Sequence, residues 1–464
     1  MTRESIKEHA EVMRQRLSKT EVLVTRIYER PILPGNHLFL CNSPVDTFEL
    51  AGYTVHGLRR QLNSRLEFES KGVKMDFRLT EEQEKFRKEI QDFLEGEIKQ
   101  GLWKPTIDGW IMAYDPEFTK RVAARGWIGL TWPKEYGGQG RSFIDRLILT
   151  EEMLRYGAPA ACHWFADRQI GGSVLKHGTE EQKRELLPKI INGEMYVGLG
   201  MSEPEAGCDL ASLKTRAVKK DGQYVIDGQK TWTSGGSHMN YLYLLARTDL
   251  NVPKHRGLSE FIIPMDLPGI TRRPLVDITG NEAWNEVFFD DVRVPQECLI
   301  GPENNGWRQV MEQLAYERSG MERLMANYPV FEGLIQFVKE AKRDGELLSR
   351  DPIIRHKLAQ LKVEFEVGRL FMYRVALVMD EGRSPEWEAC MSKAYATAFE
   401  QRLASTALEI LGPYGQLAPH SRWVKLSGMA YHSYLSSKGY SLQAGSSEIL
   451  KNILALRKLG LPTQ

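Results

Sequence analysis

Val310, Leu314, Glu317, Met321 and Leu324 follow steps of four, three, four and three, which sets the Glu317 carboxylate along an otherwise apolar helical stripe. A charge there is costly unless it is paired or has a role, and an apolar setting raises a carboxyl pKa toward the range useful for taking up a proton. The plain alternative is a buried Glu paired with an arginine elsewhere. Arg318 follows directly, and its plain reading is a surface pair with Glu322 one turn on. Two other segments suit a flat, polar-edged ring. Met201-Ser202-Glu203-Pro204-Glu205-Ala206-Gly207-Cys208-Asp209 is a small turn rich in backbone donors. Lys230-Thr231-Trp232-Thr233-Ser234-Gly235-Gly236 ends a strand with an aromatic and two hydroxyls, so an indole can pack on the ring while amides and a hydroxyl reach its heteroatoms. Alone, each also reads as an ordinary turn.

Other chemistries fall away. Gly138-Gln139-Gly140-Arg141 lacks the third glycine of a dinucleotide site, and there is no Walker A lysine motif, HExxH or GxSxG elbow. The ten histidines do not cluster, and Cys41, Cys162, Cys208, Cys298 and Cys390 are scattered without metal-ligand spacing, so neither a metal site nor a disulfide scaffold is expected. With 62 basic against 61 acidic residues the net charge is +1, which argues against a nucleic-acid or anionic-membrane binder. No apolar run approaches the roughly 20 residues of a membrane span, and no signal-peptide segment opens the chain, so the cytoplasm is the expected compartment.

The elements that position these residues divide by period. Residues 1–74 carry a polar stretch, Thr2 to Arg30, that could form a helix, then Pro31, Pro34, Gly35 and Pro44 break any pattern; Met75 would serve as an N-terminus, leaving an extension of unknown role. Thr80-Glu81-Glu82-Gln83 forms a capping box before a helix with Phe86, Ile90, Phe93 and Leu94 on one face, and helices follow over 116–125, 142–156 and 180–191. From 196 to 306 short alternating runs take over, with Asp221-Gly222 and Asp227-Gly228 expected to make hairpin turns. Helical periods return from 307 to 464, broken at Gly382–Pro385 and Gly412–Gly415. The expected class is α+β: a helical domain over 75–195, a small β domain over 196–306 and a helical bundle over 307–464. This order excludes a doubly wound parallel sheet.

From about Met75 to Pro462 the sequence resembles the acyl-CoA dehydrogenase family. Met201–Asp209 is similar to the family's first signature, Lys230–Gly236 to its flavin-facing strand, Phe288–Pro295 to its strand and Val-Pro turn, Gln443-Ala444-Gly445-Ser446-Ser447-Glu448-Ile449 to its second signature, and Leu459–Pro462 to a common ending. The resemblance implies FAD between a β-barrel or sandwich domain and a C-terminal four-helix bundle, with an acyl-CoA thioester against the flavin. It implies cofactor contacts at Met201, Ser202, Trp232, Thr233 and Ser234, the last near flavin N5, and at Gly412, Ser446, Ser447 and Glu448, although Glu448 also reads as a helix-start acid favoured by the dipole. Cys208 stands where the family has a serine touching CoA or flavin phosphates; a thiol is a weaker donor, and a small buried side chain is the alternative.

The family's usual base in the second signature is a glutamate, and here the position is Ala444. Long-chain and isovaleryl-type members supply it from an upstream helix directly before an arginine, which the resemblance places at Glu317-Arg318. Glu317 would take the α proton while hydride leaves the β carbon for flavin N5, giving the trans-2-enoyl-CoA. Ala444 still offers its backbone N–H to the thioester oxygen, and Tyr316, Arg318, Gly445 and Cys208 complete the implied substrate contacts. Two departures touch assembly. Lys342–Leu348 replaces the family's Arg-x-x-Phe-Gly segment, and Glu409 replaces a glutamine in the interface loop. The implied partners are an electron-transferring flavoprotein as acceptor and further copies of the chain, in a homotetramer or homodimer. The alternative is a non-catalytic subunit that completes a flavin site in a hetero-oligomer.

Overall fold

The structure, a computed structural model, describes residues 77–317 and 321–462 together with short pieces at 49–50, 53–54, 69–70 and 73–74; of Ala315, Tyr316 and Glu317 it describes the backbone. The expected helix over Thr2 to Arg30 lies outside these residues. Two compact units divide at Arg78. In the first, Glu49–Leu50 pairs with Tyr53–Thr54 and Glu69–Ser70 with Val73–Lys74, both antiparallel.

The second unit, Leu79–Gln464, begins with the helix Glu81–Gln100. Thr80 and Gln83 form the reciprocal capping box, and the helix ends at Gly101 in the left-handed region, φ 70°. Phe86, Ile90 and Leu94 are buried on its inner face, each contributing about 1.5–3 kcal/mol relative to exposure. Helices Pro116–Ala124, Phe143–Arg155 and Glu180–Ile191 follow, the last two also starting with capping boxes. The helical ends of the unit are tied by charge. Asp380, last residue of the long helix Pro352–Asp380, accepts the Phe143 and Ile144 N–H groups at 2.6 and 3.2 Å, satisfying free donors at that helix start.

Between them lies an eight-stranded, mostly antiparallel sheet. Tyr241–Arg247 is buried on both faces and pairs with Leu258–Pro264 antiparallel and with Val197–Gly200 parallel. Tyr224, Ile226, Leu242, Leu244, Phe261, Val287 and Phe289 fill its core. Asp221 (φ 50°) and Gly222 (φ 77°) make the expected tight turn between Arg216–Lys220 and Gln223–Ser234. Asp227-Gly228 does not turn: the strand runs through it. Gly228, at φ 147°, lets Thr215 approach so closely that a Cβ would sit 2.6 Å from its Oγ1, and Asp227 accepts the Asp291 N–H at 3.0 Å. The glycine serves close approach rather than reversal.

The bundle comprises Tyr328–Glu340, Pro352–Asp380, Glu386–Leu411 and Met429–Tyr440. Phe331, Phe365 and Phe399 pack on one another at its centre, with ring centroids 6.2 and 5.9 Å apart. No helix among the described residues is long and apolar enough to cross a membrane, and no group of potential metal ligands occurs among them.

Candidate active site

Val197–Gly200 delivers the chain to the loop that begins at Met201. Glu203 anchors that loop, its carboxylate accepting the Lys214 N–H at 2.6 Å, the Thr215 N–H at 2.8 Å and Lys230 Nζ at 2.9 Å. Lys230 also donates to the Met201 carbonyl at 3.0 Å, and the Thr231 N–H to the Ser202 carbonyl at 2.9 Å. The loop is thereby fastened to the neighbouring strand. Burial lowers the Lys230 ammonium to about 8, with Arg247 adding to the shift and Glu203 opposing it. For Glu203 burial opposes charge, but Lys230 and the facing donors outweigh it and hold the carboxyl below its usual value. Cys208 is exposed, so the reading of a small buried side chain does not hold.

The same strand carries the aromatic. Asn285 pairs with Thr233 and Val287 with Lys230, so Thr231 and Trp232 together oppose the single Glu286 in a β-bulge. Trp232 takes φ 57° and stays 59% exposed, whereas Thr231 and Thr233 on either side of it, and Ser234 beyond, are buried. A left-handed tryptophan costs about 1–2 kcal/mol, and an exposed indole gains nothing from burial. Thr233 Oγ1 and both amide atoms of Asn285 are buried without hydrogen-bond partners. Such atoms call for an ordered water or a polar-edged ligand. A flat ring with polar edges fits this strand end.

A second buried lysine braces the other loop. Lys393, on Glu386–Leu411, donates to the Gly445 carbonyl at 2.9 Å and to the Tyr440 carbonyl at 3.4 Å. Ala444 and Gly445 both lie at positive φ, 51° and 100°. Ser446 then caps Ser447–Ile453 by accepting the Ile449 N–H at 3.4 Å. Glu448 is exposed in the first turn, its carboxyl held below the usual value by its backbone N–H and the Ser446 side chain. Gly412 ends Glu386–Leu411.

Strand end and second loop meet at a chamber lined by Ser234 and Gln443 together with Trp110, Trp164, Arg168, Glu322 and Arg323 among others. Gly306–Glu317 ends at the predicted base, whose side chain, like those of Tyr316 and Arg318, lies outside what the structure describes. Val310, Leu314, Met321 and Leu324 are buried, as the apolar stripe predicts. Glu322 is not a surface residue: it is 5% exposed, in Met321–Met325, with Arg323 Nη1 3.3 Å away. Sequence reasoning missed Glu322 and Arg323 as chamber residues. The available signal was the Glu-Arg dipeptide of 317–318 recurring at 322–323, between the stripe residues Met321 and Leu324.

Known proteins share this architecture. Family models for the acyl-CoA dehydrogenase N-terminal, middle and C-terminal domains match residues 80–194, 198–292 and 304–459. Acyl-CoA dehydrogenase IpdE1 of Mycobacterium tuberculosis is 34% identical over 392 residues, covering 82% of this chain and 98% of that protein. The Tcur3481-Tcur3483 steroid ACAD superposes with a TM-score of 0.76 at 30% identity, over 84% of this chain and all of that one, 100%. The ChsE4-ChsE5 complex from Mycobacterium tuberculosis gives 0.74 at 31%, over 84% and 100%.

Proposed function

The chain belongs to the acyl-CoA dehydrogenase family, and from that premise we propose that it converts an acyl-CoA to the trans-2-enoyl-CoA with Glu317 as the base. Family members are FAD flavoproteins and oxidoreductases acting on CH–CH bonds. The observation that carries the reading is the pair of lysine-braced loops, which bring Ser234 and Gln443, neighbour of Ala444, to one chamber. Trp232 and Ser234 would hold the flavin ring, and Ser446 and Ser447 would reach the rest of the cofactor. Bound there, FAD supplies a two-electron acceptor for the β hydrogen. The protein's part is proton chemistry. Glu317, at the end of an apolar-faced helix, takes the α proton, and the Ala444 N–H steadies the thioester oxygen as charge develops on it.

Electrons would then leave through an electron-transferring flavoprotein. The test is anaerobic flavin bleaching against straight, branched, cyclic and steroid-derived acyl-CoAs, the last because the Tcur3481-Tcur3483 protein is a steroid ACAD. Bleaching that survives Glu317→Gln at the wild-type rate overturns the base assignment. The second reading, a subunit that completes a partner's site, draws on Ala444 and on the likeness to the ChsE4-ChsE5 complex. A yellow protein holding about one FAD per chain when purified alone overturns it.

A further inference from the structure

We propose that the chamber beside Ser234 selects an acyl group that itself carries an oxygen acceptor, a carboxylate or a ketone, and that Arg323 receives it. The inference rests on the acyl-CoA dehydrogenase reading above and narrows its substrate class.

Arg323 is 3% exposed. Its guanidinium lies 4.8 Å from the ring centroids of both Trp110 and Tyr440. Nη2 reaches Gln443 Oε1 at 3.5 Å, the limit of a hydrogen bond. Among the described residues Nε and Nη1 have no hydrogen-bond partner; Nη1 lies 3.3 Å from Glu322 Oε1 as an ion pair only. Buried donors on a charged group are costly to leave unmade.

The other described acids around it do not use these donors. Asp108 accepts from Trp110 Nε1 at 3.2 Å and faces His432 Nε2 at 3.1 Å. Burial pushes the Glu400 carboxyl well above the usual range, and its Oε2 makes no hydrogen bond among the described residues. A second cation, Arg168, lines the same chamber, stacked on Trp164 at 4.4 Å, and burial lowers it only to about 10. Arg168, Arg323 and Glu322 thus share the described lining.

A hydrocarbon acyl chain would dry this chamber and leave the Arg323 donors unpaired. An oxygen acceptor completes them. Sites built to hydrogen-bond a substrate group discriminate strongly against the analogue that lacks it. Arg323 is thus a specificity residue, distinct from the proton-abstracting carboxylate.

The test uses the holoenzyme and three probes with acyl chains of equal length, pentanoyl-CoA, glutaryl-CoA and 4-oxopentanoyl-CoA, read by calorimetric binding and by anaerobic flavin bleaching. Glutaryl-CoA or 4-oxopentanoyl-CoA should bind at least about 10-fold more tightly than pentanoyl-CoA, and Arg323→Met should remove that preference while changing pentanoyl-CoA binding less than about 3-fold. The arms separate anion from ketone. Arg323→Lys, which keeps the charge but loses the fork, provides the same differential reading if the Met variant fails to fold. A wild-type preference for pentanoyl-CoA, or equal losses on all probes, overturns the inference. Selective binding without bleaching by any probe sustains it and removes the dehydrogenase reading instead.

Discussion

Lys230 Nζ, with no exposed surface, lies 2.9 Å from Glu203 Oε1 and 3.0 Å from the Met201 carbonyl oxygen. One ammonium thus joins the strand that carries Trp232 to the loop that carries Ser202. Lys393 does the same for the second loop through Gly445. In each case a buried cation donates to backbone carbonyls that a turn leaves without a strand or helix partner.

Replacing Lys230 by Met leaves Glu203 buried without its cation, a loss of about 3–5 kcal/mol. The expected outcome is a lower melting temperature and a lower FAD-to-protein ratio on purification. Adding Glu203→Gln removes the orphaned charge and should recover part of the stability; a double variant no more stable than the single one contradicts the pairing.

Trp232 predicts effects of opposite sign on stability and on cofactor binding. Its indole is 59% exposed and its φ is 57°, so Trp232→Gly relieves backbone strain of about 1 kcal/mol. The FAD-free protein should melt no lower than the parent, while FAD affinity falls by about 10-fold or more from the lost stacking surface. Titrating FAD into the stripped proteins checks both signs.

The two Glu-Arg dipeptides separate by kinetics. Glu317→Gln should slow flavin reduction by about 10²- to 10⁴-fold, the usual span for a positioned base. Glu322→Gln, which removes the chamber's carboxylate, should shift the preference among acyl groups while leaving the rate on a good substrate within about 10-fold. If Glu322→Gln is the slow variant, the base belongs five residues further along. An Ala444→Glu/Glu317→Gly exchange that restores bleaching would locate the proton transfer between those two positions.

The helices and the β segment between them were legible because their signals are local. Thr80 with Gln83 closes its capping box as read, and Thr179 with Gln182 closes another, since each needs only a four-residue turn. Asp227-Gly228 misled because a left-handed or near-extended glycine serves a bulge as well as a turn, and only the Thr215 backbone passing beside it decides which. The chamber was half legible. Ser234 and Gln443 sit in motifs, but Arg323 sits in none, and Trp110 and Tyr440, 213 and 117 residues away along the chain, close over it only in the fold. The bracing lysines are hidden for the same reason: Lys230 reads only as the start of a strand motif, and Lys393 lies in a helix that no motif marks.

Glu260 makes the last prediction, and it concerns pH. It sits on Leu258–Pro264, where its carboxyl accepts from Tyr243 Oη, from Ser173 Oγ at 3.0 Å and from Gln309 Nε2 at 2.9 Å. Gln309 belongs to Gly306–Glu317, so Glu260 helps seat the helix that ends at the proposed base. Burial raises its pKa to about 7 against the donors that lower it, from an ordinary 4.5. The folded state therefore holds the proton more tightly than the unfolded chain. Its contribution to stability is complete below about pH 4.5 and is lost as pH rises through about 7, a change of about 3 kcal/mol. Glu260→Gln keeps a neutral side chain at every pH. The variant should match or fall below the parent in melting temperature near pH 5 and exceed it near pH 8. Parallel melting curves for the two proteins across that range would mean that Glu260 is ionised in the fold throughout, its three donors outweighing its burial.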